Sequence, residues 1–376
     1  MTMGYKSIEK GNPTINACAF TFDDGPSKQP LEAWLDALEQ FSVSGTFFFT
    51  GEWIDKHPDK ANMLISRGHE LASHSYYHRR MSELSEDVFL EELKETELAY
   101  QEATGKPSPN FFRFPYLNFN EENLSWLSKW GYHSITGNDT GDWAGLPAQK
   151  IVDNGSVFLY NGSILVLHSN DITKETPAAL KQLIRRALNR GLKPVKISDL
   201  LEGVGITPEY RSWKISIEVP DVNSIPLHEW TIIQSSQDRQ KLAAESLEWG
   251  LGKIPSGNGA ERQWIQYLTE PIKVQKIVED RELFSGQLKE DEFWGFARFG
   301  VNKEELVLLD FGFREAQADT LVDLLRRAAY LAKKVGCSSI VARHDMRRIH
   351  KMCQQMGWNS KIEVDEFLMA GQLIER

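Results

Sequence analysis

Strand-like and helix-like segments alternate along the first two hundred residues, and this alternation limits the possible folds more than any other feature. The runs INACAFTF (15–22) and GSILVLHSND (162–171) are apolar enough to be buried strands. Between them, HPDKANMLISRG (57–68) and SEDVFLEELKETELAYQEATG (85–105) have the pattern of helices, with Ser85 at the N-cap and Gly105 after the last turn of the second. Strands separated by helices pair in parallel, so we expect an α/β domain with an open sheet or a barrel.

Polar residues gather at one end of the predicted strands. Each of them lies at or just beyond the carboxyl end of a strand, which is the face where (β/α) barrels assemble their active sites from separate loops. This distribution favours the barrel over the open sheet. The residues are Asp23, Asp24, His74, His78, Arg113, Asp142 and His168.

Two of these histidines have the spacing of metal ligands. His74 and His78 are four residues apart in SHSYYH, which would place both imidazoles on one side of a helical turn. The same spacing also occurs on ordinary solvated surfaces. Asp24 could supply a third ligand, because two neutral imidazoles and one carboxylate bind Zn²⁺ or another divalent ion and leave positions open for water and substrate.

Adjacent carboxylates end the first strand in TFDDGPS (21–27). Asp23 and Asp24 would repel each other at a buried strand end, although a solvated turn would also explain them. If Asp24 binds a metal ion, the pair has divided roles. Asp23 would then accept a proton from a water molecule that the ion acidifies.

A general base requires a general acid for the leaving group, and His168 follows the apolar run ILVL where it could serve. It could equally be a histidine whose hydrogen bonds are satisfied at a strand end. A nearby carboxylate would favour its protonated form, and DTGDW offers Asp142 or, alternatively, Asp139. Arg113 could hold Asp23 in an ion pair, or it could form an ordinary surface salt bridge.

Five motifs carry a family resemblance. TFDDGP, HSYYH, RFPY, DTGDW and the histidine after ILVL occur in the order and approximate spacing of the polysaccharide deacetylases, also called NodB-like or carbohydrate esterase family 4 enzymes. The first two hundred residues or so resemble this family. The resemblance implies a distorted (β/α) barrel that hydrolyses the N-acetyl group of an amino sugar with one divalent ion, either Zn²⁺ or Co²⁺, Ni²⁺ or Fe²⁺.

The resemblance also implies a role for each polar residue. Asp23 is the implied general base and His168 the implied general acid. Arg113 would orient Asp23, and Asp142 would tune His168. The implied metal ligands are Asp24, His74 and His78.

Substrate contacts follow from the same resemblance. The backbone N–H of Tyr116 would stabilise the tetrahedral oxyanion. Trp143, and after it Tyr77 and Tyr76, would stack on a sugar ring or on the acetyl methyl, unless they pack in the core. Leu117 departs from the family pattern, which has glycine after this tyrosine. Leucine lacks easy access to positive φ, so the turn and the substrate specificity could differ here.

Composition and charge exclude other classes of protein. The chain of 376 residues has 41% hydrophobic and 26% charged residues, which is typical of a globular protein, and its net charge of −10 argues against nucleic-acid partners. We find no signal peptide and no apolar stretch long enough for a membrane span. Three cysteines with no CxxC pair suit a reducing compartment, so we expect a cytoplasmic protein.

A second domain follows the first. The pattern changes after ITPEYRS, which predicts a deacetylase-like domain at 1–208 and a smaller α+β domain at 209–376. Within the latter, residues 292–313 are expected to form a hairpin around VNKEE, followed by a helix, a strand and a helix. This order resembles the second half of a Gcn5-related N-acetyltransferase, with an unrelated α+β domain as the alternative.

We expect that second domain to be non-catalytic and to bind no acetyl-CoA. The family holds the coenzyme pyrophosphate on glycine-rich backbone, whereas here Arg314 is followed by Gln317 and Asp319 where glycines are expected. A carboxylate at this position would repel phosphate. The domain could instead bind substrate, shield the barrel mouth or form a homo-oligomer.

These observations lead to one expected function and two alternatives. The expected function is metal-dependent N-deacetylation of an acetylated amino sugar or oligosaccharide. The first alternative is an amidase of the same fold that acts on a non-sugar C–N bond. The second is a carbohydrate-binding or assembly protein with a residual site.

Overall fold

The computed structural model divides into two compact units, one formed chiefly by residues 1–212 and the other by residues 213–365. A strand at Glu209–Glu218 runs from the first into the second. The domain limits 1–208 and 209–376 stay a prediction. The structure describes residues 6–220, 230–232, 283–289, 292–313 and 318–369.

Strands and helices alternate in the first unit. The strands are β1 (Ala17–Asp24), β2 (Thr46–Phe49), β3 (Glu70–Ser73), β4 (Phe111–Phe112), β5 (His133–Ser134), β6 (Asn138–Asp139), β7 (Ser163–Ser169) and β8 (Lys193–Pro194). The helices are α1 (Glu32–Glu39), α2 (Gly51–Lys56), α3 (Pro58–Ser66), α4 (Glu86–Thr104), α5 (Glu121–Lys129), α6 (Ala148–Ser156), α7 (Thr176–Asn189) and α8 (Ile197–Glu202). Short 3₁₀ turns cover Met81–Glu83, Pro115–Leu117 and Asp142–Ala144.

The strands of this unit form a parallel sheet in the order β5-β4-β3-β2-β1-β7-β6, and β8 pairs with β1. Among the described strands the sheet has two edges, so it is a half-barrel. The predicted α/β fold with parallel strands is confirmed, and the half-barrel is consistent with a distorted (β/α) barrel. Because all strands point the same way, their carboxyl ends meet at one edge of the sheet.

Aromatic side chains fill the core beneath that edge. The rings of Phe22 and Phe47 stack with centroids 4.7 Å apart, and Phe49 packs edge-on against Phe47 at 5.5 Å. Trp34 of α1 is fully buried in the same cluster. Each such side chain contributes roughly 2 kcal/mol through removal of apolar surface from water. The core therefore holds the strand ends, and the polar residues that follow them, in fixed positions.

Local structure matches the sequence pattern in some places and departs from it in others. Gly105 ends α4 in the left-handed conformation with φ 68°, as expected, and Ser85 stands at its N-cap position without a side-chain capping bond. The segment between His74 and His78 is not helical: His74 follows β3, and His78 has φ 58° in an irregular loop. The residues between His74 and His78 therefore do not form the helical turn that their spacing would allow. The segment YHSITGND (132–139) contains two short strands, β5 and β6.

The second unit contains a mixed sheet, in which β13 and β14 pair in parallel and other neighbours pair antiparallel, together with two described helices. Its strands pair in the order β10-β11-β12-β13-β14-β9-β15. The predicted hairpin, and the helix, strand and helix after it, are confirmed as structural elements. The elements are β9 (Glu209–Glu218), β10 (Trp230–Ile232), β11 (Leu283–Lys289), β12 (Glu292–Asn302), β13 (Glu305–Phe313), α9 (Ala318–Val335), β14 (Ser339–Ala342), α10 (Met346–Gln355) and β15 (Ser360–Met369).

The acetyltransferase resemblance of this unit stays a prediction. Residues 314–317, on which the expected lack of acetyl-CoA binding partly depends, lie outside the described residues. Across the part of the chain that the structure describes, no helix combines the length and apolarity needed to cross a membrane.

Candidate active site

A cavity of about 390 Å³ opens at the carboxyl edge of the half-barrel sheet. Residues from five separate strand ends, those of β1, β3, β4, β6 and β7, meet there, as the barrel interpretation predicts. It is lined by Asp23, Asp24, His74, His78, Phe114, Tyr116, Leu117, Asp139, Trp143, Val166, His168, Asn170 and Ile172.

Three of these side chains form a cluster that could hold a metal ion. Asp24, His74 and His78 each offer one ligand atom, and these atoms all lie within 4.8 Å of one another. Asp24 Oδ1 is 3.6 Å from His74 Nε2 and 3.1 Å from His78 Nε2. Although the loop is not helical, its left-handed residues bring both imidazoles to the same carboxylate.

Hydrogen bonds around the cluster orient its ligand atoms. His74 Nδ1 donates to the carbonyl oxygen of Arg113 at 2.9 Å, so Nδ1 carries a proton and Nε2 faces Asp24, where it can bind a cation in exchange for its own proton. Asn170 Nδ2 donates to Asp24 Oδ2 at 2.7 Å. The amide of Asn170 is fixed in this orientation because its Oδ1 accepts bonds from the N–H groups of Ile172 and Thr173. This donor set and its supports fit a divalent cation.

Electrostatics within the cluster keep Asp24 ionised. Burial alone would raise the pKa of this carboxyl, but hydrogen bonds from His74 and His78 and the charge of nearby imidazoles hold the pKa of Asp24 well below its usual range. An ionised carboxylate is the form that binds a cation.

The neighbouring Asp23 has a different environment. Its Oδ1 accepts a bond of 2.7 Å from Arg113 Nη1, and both residues are buried. Arg113 also donates to the hydroxyl of Thr21 at 2.8 Å and to the carbonyl of Ile135 at 3.2 Å. Its guanidinium carbon lies 4.1 Å from the centroid of the Phe48 ring. Arg113 is therefore a fixed partner of Asp23 and does not form a surface salt bridge.

His168 is held by Asp142 on the opposite side of β1. Its Nδ1 is 2.8 Å from Asp142 Oδ1, and its backbone N–H donates to Asp142 Oδ2 at 2.8 Å. The structure thus brings Asp142, and not the alternative Asp139, to His168. Asp139 instead accepts bonds from the indole N–H of Trp143 at 2.9 Å and from the N–H of Gly141 at 2.8 Å.

The proton on His168 is stabilised by these contacts. Burial alone would lower the pKa of the imidazole, but the hydrogen bond and charge of Asp142, with smaller contributions from Asp23 and Asp24, raise the pKa of His168 to about 9. Below that pH the imidazolium can donate a proton from Nε2, because Nδ1 is bonded to Asp142.

Exposed apolar side chains surround the mouth of the cavity. Tyr116, Trp143 and Ile172 are 61%, 54% and 63% exposed, respectively. The Tyr116 ring packs against His78 with centroids 4.5 Å apart. Of the predicted substrate contacts, Tyr116 and Trp143 line the cavity, whereas Tyr77 is outside its lining and packs against Tyr76.

Left-handed backbone is concentrated at this site. Eight non-glycine residues of the described chain have positive φ, and five of them belong to the site loops. Such conformations cost about 1–3 kcal/mol each and persist where the surrounding structure fixes them, often at functional sites. Leu117, at φ 49°, therefore adopts the glycine-like conformation that its side chain disfavours. The five are Asp24, Ser75, His78, Tyr116 and Leu117.

Three supporting residues were not identified from the sequence. Asn170 holds Asp24, and Thr176 Oγ1 donates to Asp142 Oδ2 at 2.8 Å. Asp171 Oδ1 accepts bonds from three successive backbone N–H groups in the loop after β1, at 27–29. The position of Asn170 and Asp171 directly after the end of β7, close to His168, was the available signal. Nothing in the sequence marked Thr176, since its partner is 34 residues away.

Comparison with known proteins finds polysaccharide deacetylases among the relatives of this chain. Residues 10–135 match the family model described as polysaccharide deacetylase. The chain is 29% identical over 187 residues to the peptidoglycan-N-acetylglucosamine deacetylase of Bacillus cereus, which covers 49% of this chain and 68% of that protein. It is 26% identical to the peptidoglycan-N-acetylmuramic acid deacetylase PdaC of Bacillus subtilis, covering 52% of this chain but 40% of the relative.

Solved structures give the same result for the first unit. A peptidoglycan N-acetylglucosamine deacetylase in complex with a benzamide ligand matches 52% of this chain and 92% of its own, with 27% identity and a TM-score of 0.50. A mutant of a family 4 carbohydrate esterase pseudoenzyme with restored activity matches 54% of this chain and 73% of its own, with 26% identity and a TM-score of 0.50. These similarities support a polysaccharide deacetylase domain, of the NodB-like carbohydrate esterase family 4 type, in the N-terminal region of this chain.

Proposed function

We propose that this protein is a metal-dependent hydrolase that removes the N-acetyl group from an acetylated amino sugar of an oligosaccharide. One observation carries the proposal. The register of β1 and β7 pairs Asp23 with His168, so a base and an acid lie side by side next to the cation cluster that begins at Asp24. The names of the relatives, which act on N-acetylated sugars of peptidoglycan, support the same substrate class.

The metal site in this proposal is Asp24, His74 and His78. A divalent ion bound there would act as a Lewis acid, polarising the acetamide carbonyl and making water more acidic. Zn²⁺ suits two imidazoles and one carboxylate, and Co²⁺, Ni²⁺ and Fe²⁺ tolerate the same ligands.

Asp23 would act as the general base. As a water oxygen attacks the carbonyl carbon of the acetamide, the Asp23 carboxylate accepts the proton that the water loses. Arg113 donates to Oδ1 of this carboxylate and so fixes its orientation. The remaining lone pairs of the carboxylate can still accept the proton from water. The buried guanidinium therefore serves as a positioning residue.

His168 would complete the reaction as the general acid. When the tetrahedral intermediate collapses, the carbon–nitrogen bond breaks and the imidazolium gives its proton to the departing amine nitrogen. The products are acetate and the free amino sugar. Asp142 supports this step because it bonds Nδ1 of His168 and favours the protonated ring.

The rim of the cavity would hold the substrate. The backbone N–H of Tyr116 would donate to the oxyanion, and the left-handed conformation of Tyr116 sets the direction of the backbone at this turn. The exposed indole of Trp143 would stack on a sugar ring, with its N–H fixed by Asp139.

The alternatives are weaker on the same observations. A binding protein has no use for a base held by a buried arginine beside an acid held by a buried aspartate. An amidase for a non-sugar C–N bond would use the same groups, and the exposed aromatic rim is the feature that favours a sugar over it. Because the fold also occurs in a pseudoenzyme, the proposal depends on these residues and not on the fold.

Acetate release tests the proposal. The metal-loaded protein should release acetate from N-acetylated chito-oligosaccharides or peptidoglycan fragments, chelator should stop the release, and added Zn²⁺ or Co²⁺ should restore it. Hydrolysis of small cyclic amides with no release from any glycan would favour the amidase. Absence of turnover on either class, with one metal ion bound per chain, would contradict the proposed function.

A further inference from the structure

A second groove lies directly beside the catalytic cavity. It has a volume of about 450 Å³ and shares His78 and Tyr116 with the cavity. While one sugar occupies the catalytic cavity, a substituent on the neighbouring sugar could therefore reach into this groove. We call it the arginine groove, and its lining residues are His78, Arg79, Arg80, Glu83, Leu84 and Tyr116.

The first of its two arginines already has a structural role. Arg79 Nε is 3.4 Å from Glu92 Oε1, and its guanidinium carbon is 4.7 Å from the centroid of the Tyr77 ring. Glu92 is buried, and its Oε2 accepts bonds from the N–H groups of Tyr76 and Tyr77 at 3.1 Å. Arg79 therefore balances the charge of Glu92, the carboxylate that holds the loop between the proposed metal ligands His74 and His78.

The second arginine is placed differently. Arg80 is exposed, and its guanidinium carbon lies 5.0 Å from the centroid of the Tyr116 ring. Within the described residues no acidic group lies within 4 Å of it. Stacking on the aromatic face limits the motion of the guanidinium and leaves its N–H groups, which lie in its plane, free to bind a planar oxyanion. Among the groove residues, Arg80 thus has the uncommitted cationic group.

We propose that the arginine groove binds a carboxylate carried by a sugar adjacent to the one that is deacetylated. The inference rests on the proposed function and narrows its substrate to acidic glycans. A carboxylate matches the guanidinium fork with two parallel hydrogen bonds. Glu83 lines the same groove and would repel a doubly charged phosphate about twice as strongly as a singly charged carboxylate, so the carboxylate fits the local charge better.

Binding in the absence of turnover tests this inference. The probe is a peptidoglycan tetrasaccharide whose lactyl carboxylates are either free or converted to methyl amides, and the protein is the full chain loaded with Zn²⁺ and carrying Asp23→Asn. Calorimetry should show that the free acid binds about tenfold more tightly than the amide. Adding Arg80→Gln should remove this preference and leave the binding of the amide unchanged.

A matched control is available on α7. Arg185 is also exposed and also lies over an aromatic ring, with its guanidinium carbon 5.5 Å from the centroid of Phe41, but it does not line the arginine groove. Arg185→Gln removes the same charge and the same kind of contact, so it should keep the preference for the free acid. Loss of preference in both variants would show a general effect of net charge and overturn the inference.

Two further outcomes would contradict the groove, and neither depends on catalysis. Equal binding of acid and amide would mean that no carboxylate is recognised. If Arg80→Gln weakened the binding of the acid and of the amide equally, Arg80 would act by holding the Tyr116 ring in place and not by binding the carboxylate. Conversely, a preference for the acid without acetate release by the wild-type protein would support the groove and refute the proposed deacetylation.

Discussion

The buried network of the site and its rim differ in almost every physical respect. The network, Asp23, His74, Arg113 and Asp142, is nearly inaccessible to solvent, and each side chain has a fixed hydrogen-bond partner. The rim, Tyr116, Leu117, Trp143 and Ile172, is exposed and partly held in left-handed backbone. Because fixed partners set protonation and direction, the network would determine the reaction. The rim would determine which substrate reaches it.

Among the substitutions that separate network from rim, loss of the proposed general acid should lower turnover the most. His168→Ala should lower kcat by about 10²- to 10⁴-fold, because general acid catalysis typically contributes that much. Metal content, measured by atomic absorption, should stay at the wild-type level. His57→Ala, which removes a histidine outside the cavity lining, is the matched control. Metal loss in His168→Ala would instead indicate that His168 is a metal ligand and would contradict its assignment as the general acid.

The partner of that acid should control its titration. In metal-free protein followed by NMR, His168 should titrate near pH 9, and Asp142→Asn should lower this pKa by about one unit or more. Burial opposes the charge, so the carboxylate is the group whose loss matters. An unchanged pKa in the variant would show that Asp142 only packs against the ring.

The sign of the corresponding stability effect follows from linkage. The pKa of His168 is raised from 6.5 to about 9 in the folded protein, so the imidazolium contributes up to about 3 kcal/mol that is fully present below pH 6.5. This contribution is lost as the pH rises through 9. Melting curves should therefore show that Asp142→Asn is most destabilising below pH 6.5 and progressively less so as the pH rises through 9.

A rim substitution should affect binding more than chemistry. Trp143→Ala should raise KM for an oligosaccharide about tenfold and change kcat by less than threefold, because stacking on a sugar acts equally on ground and transition states. Asp139→Asn should raise KM less, since it weakens the bond that fixes the indole. A large fall in kcat for either variant would remove the distinction between network and rim.

The smallest effect concerns the turn at Leu117. At φ 49°, Leu117→Gly should be more stable than Leu117→Ala by about 1 kcal/mol, the reverse of the usual order, because alanine keeps the left-handed penalty. Thermal melting of the two variants measures the difference. If alanine is the more stable, the backbone at this turn is not left-handed, and the placement of the Tyr116 N–H would need revision.

Much of the site could be predicted because its residues follow recognisable strands. Asp23, Asp24 and His168 come directly after apolar runs, and parallel strands bring such ends together. Arg113 was identified by its place after the strand FF. The order of motifs supplied the rest, since no periodicity predicts that His74 and His78 approach Asp24.

Local pattern was insufficient where tertiary contacts override it. The spacing of His74 and His78 would also suit a helical turn. The loop between them is instead held by Glu92 of the distant α4, whose carboxylate accepts hydrogen bonds from two backbone N–H groups of the loop. Apart from the family resemblance, the residues left Asp139 open as an alternative to Asp142, because the 3₁₀ turn at Asp142–Ala144 decides which one faces His168. Long-range partners such as Thr176 leave no local signal.

Divided roles for the adjacent carboxylates are the central claim of this account, and one paired measurement tests them. Asp23→Asn and Asp24→Asn differ by one position and remove the same charge, and each protein would be assayed for bound Zn²⁺ and for acetate release. We expect Asp23→Asn to keep its metal and lose turnover, and Asp24→Asn to lose both. Near wild-type turnover in Asp23→Asn, or loss of its metal, would contradict the assignment of base and ligand to these two residues.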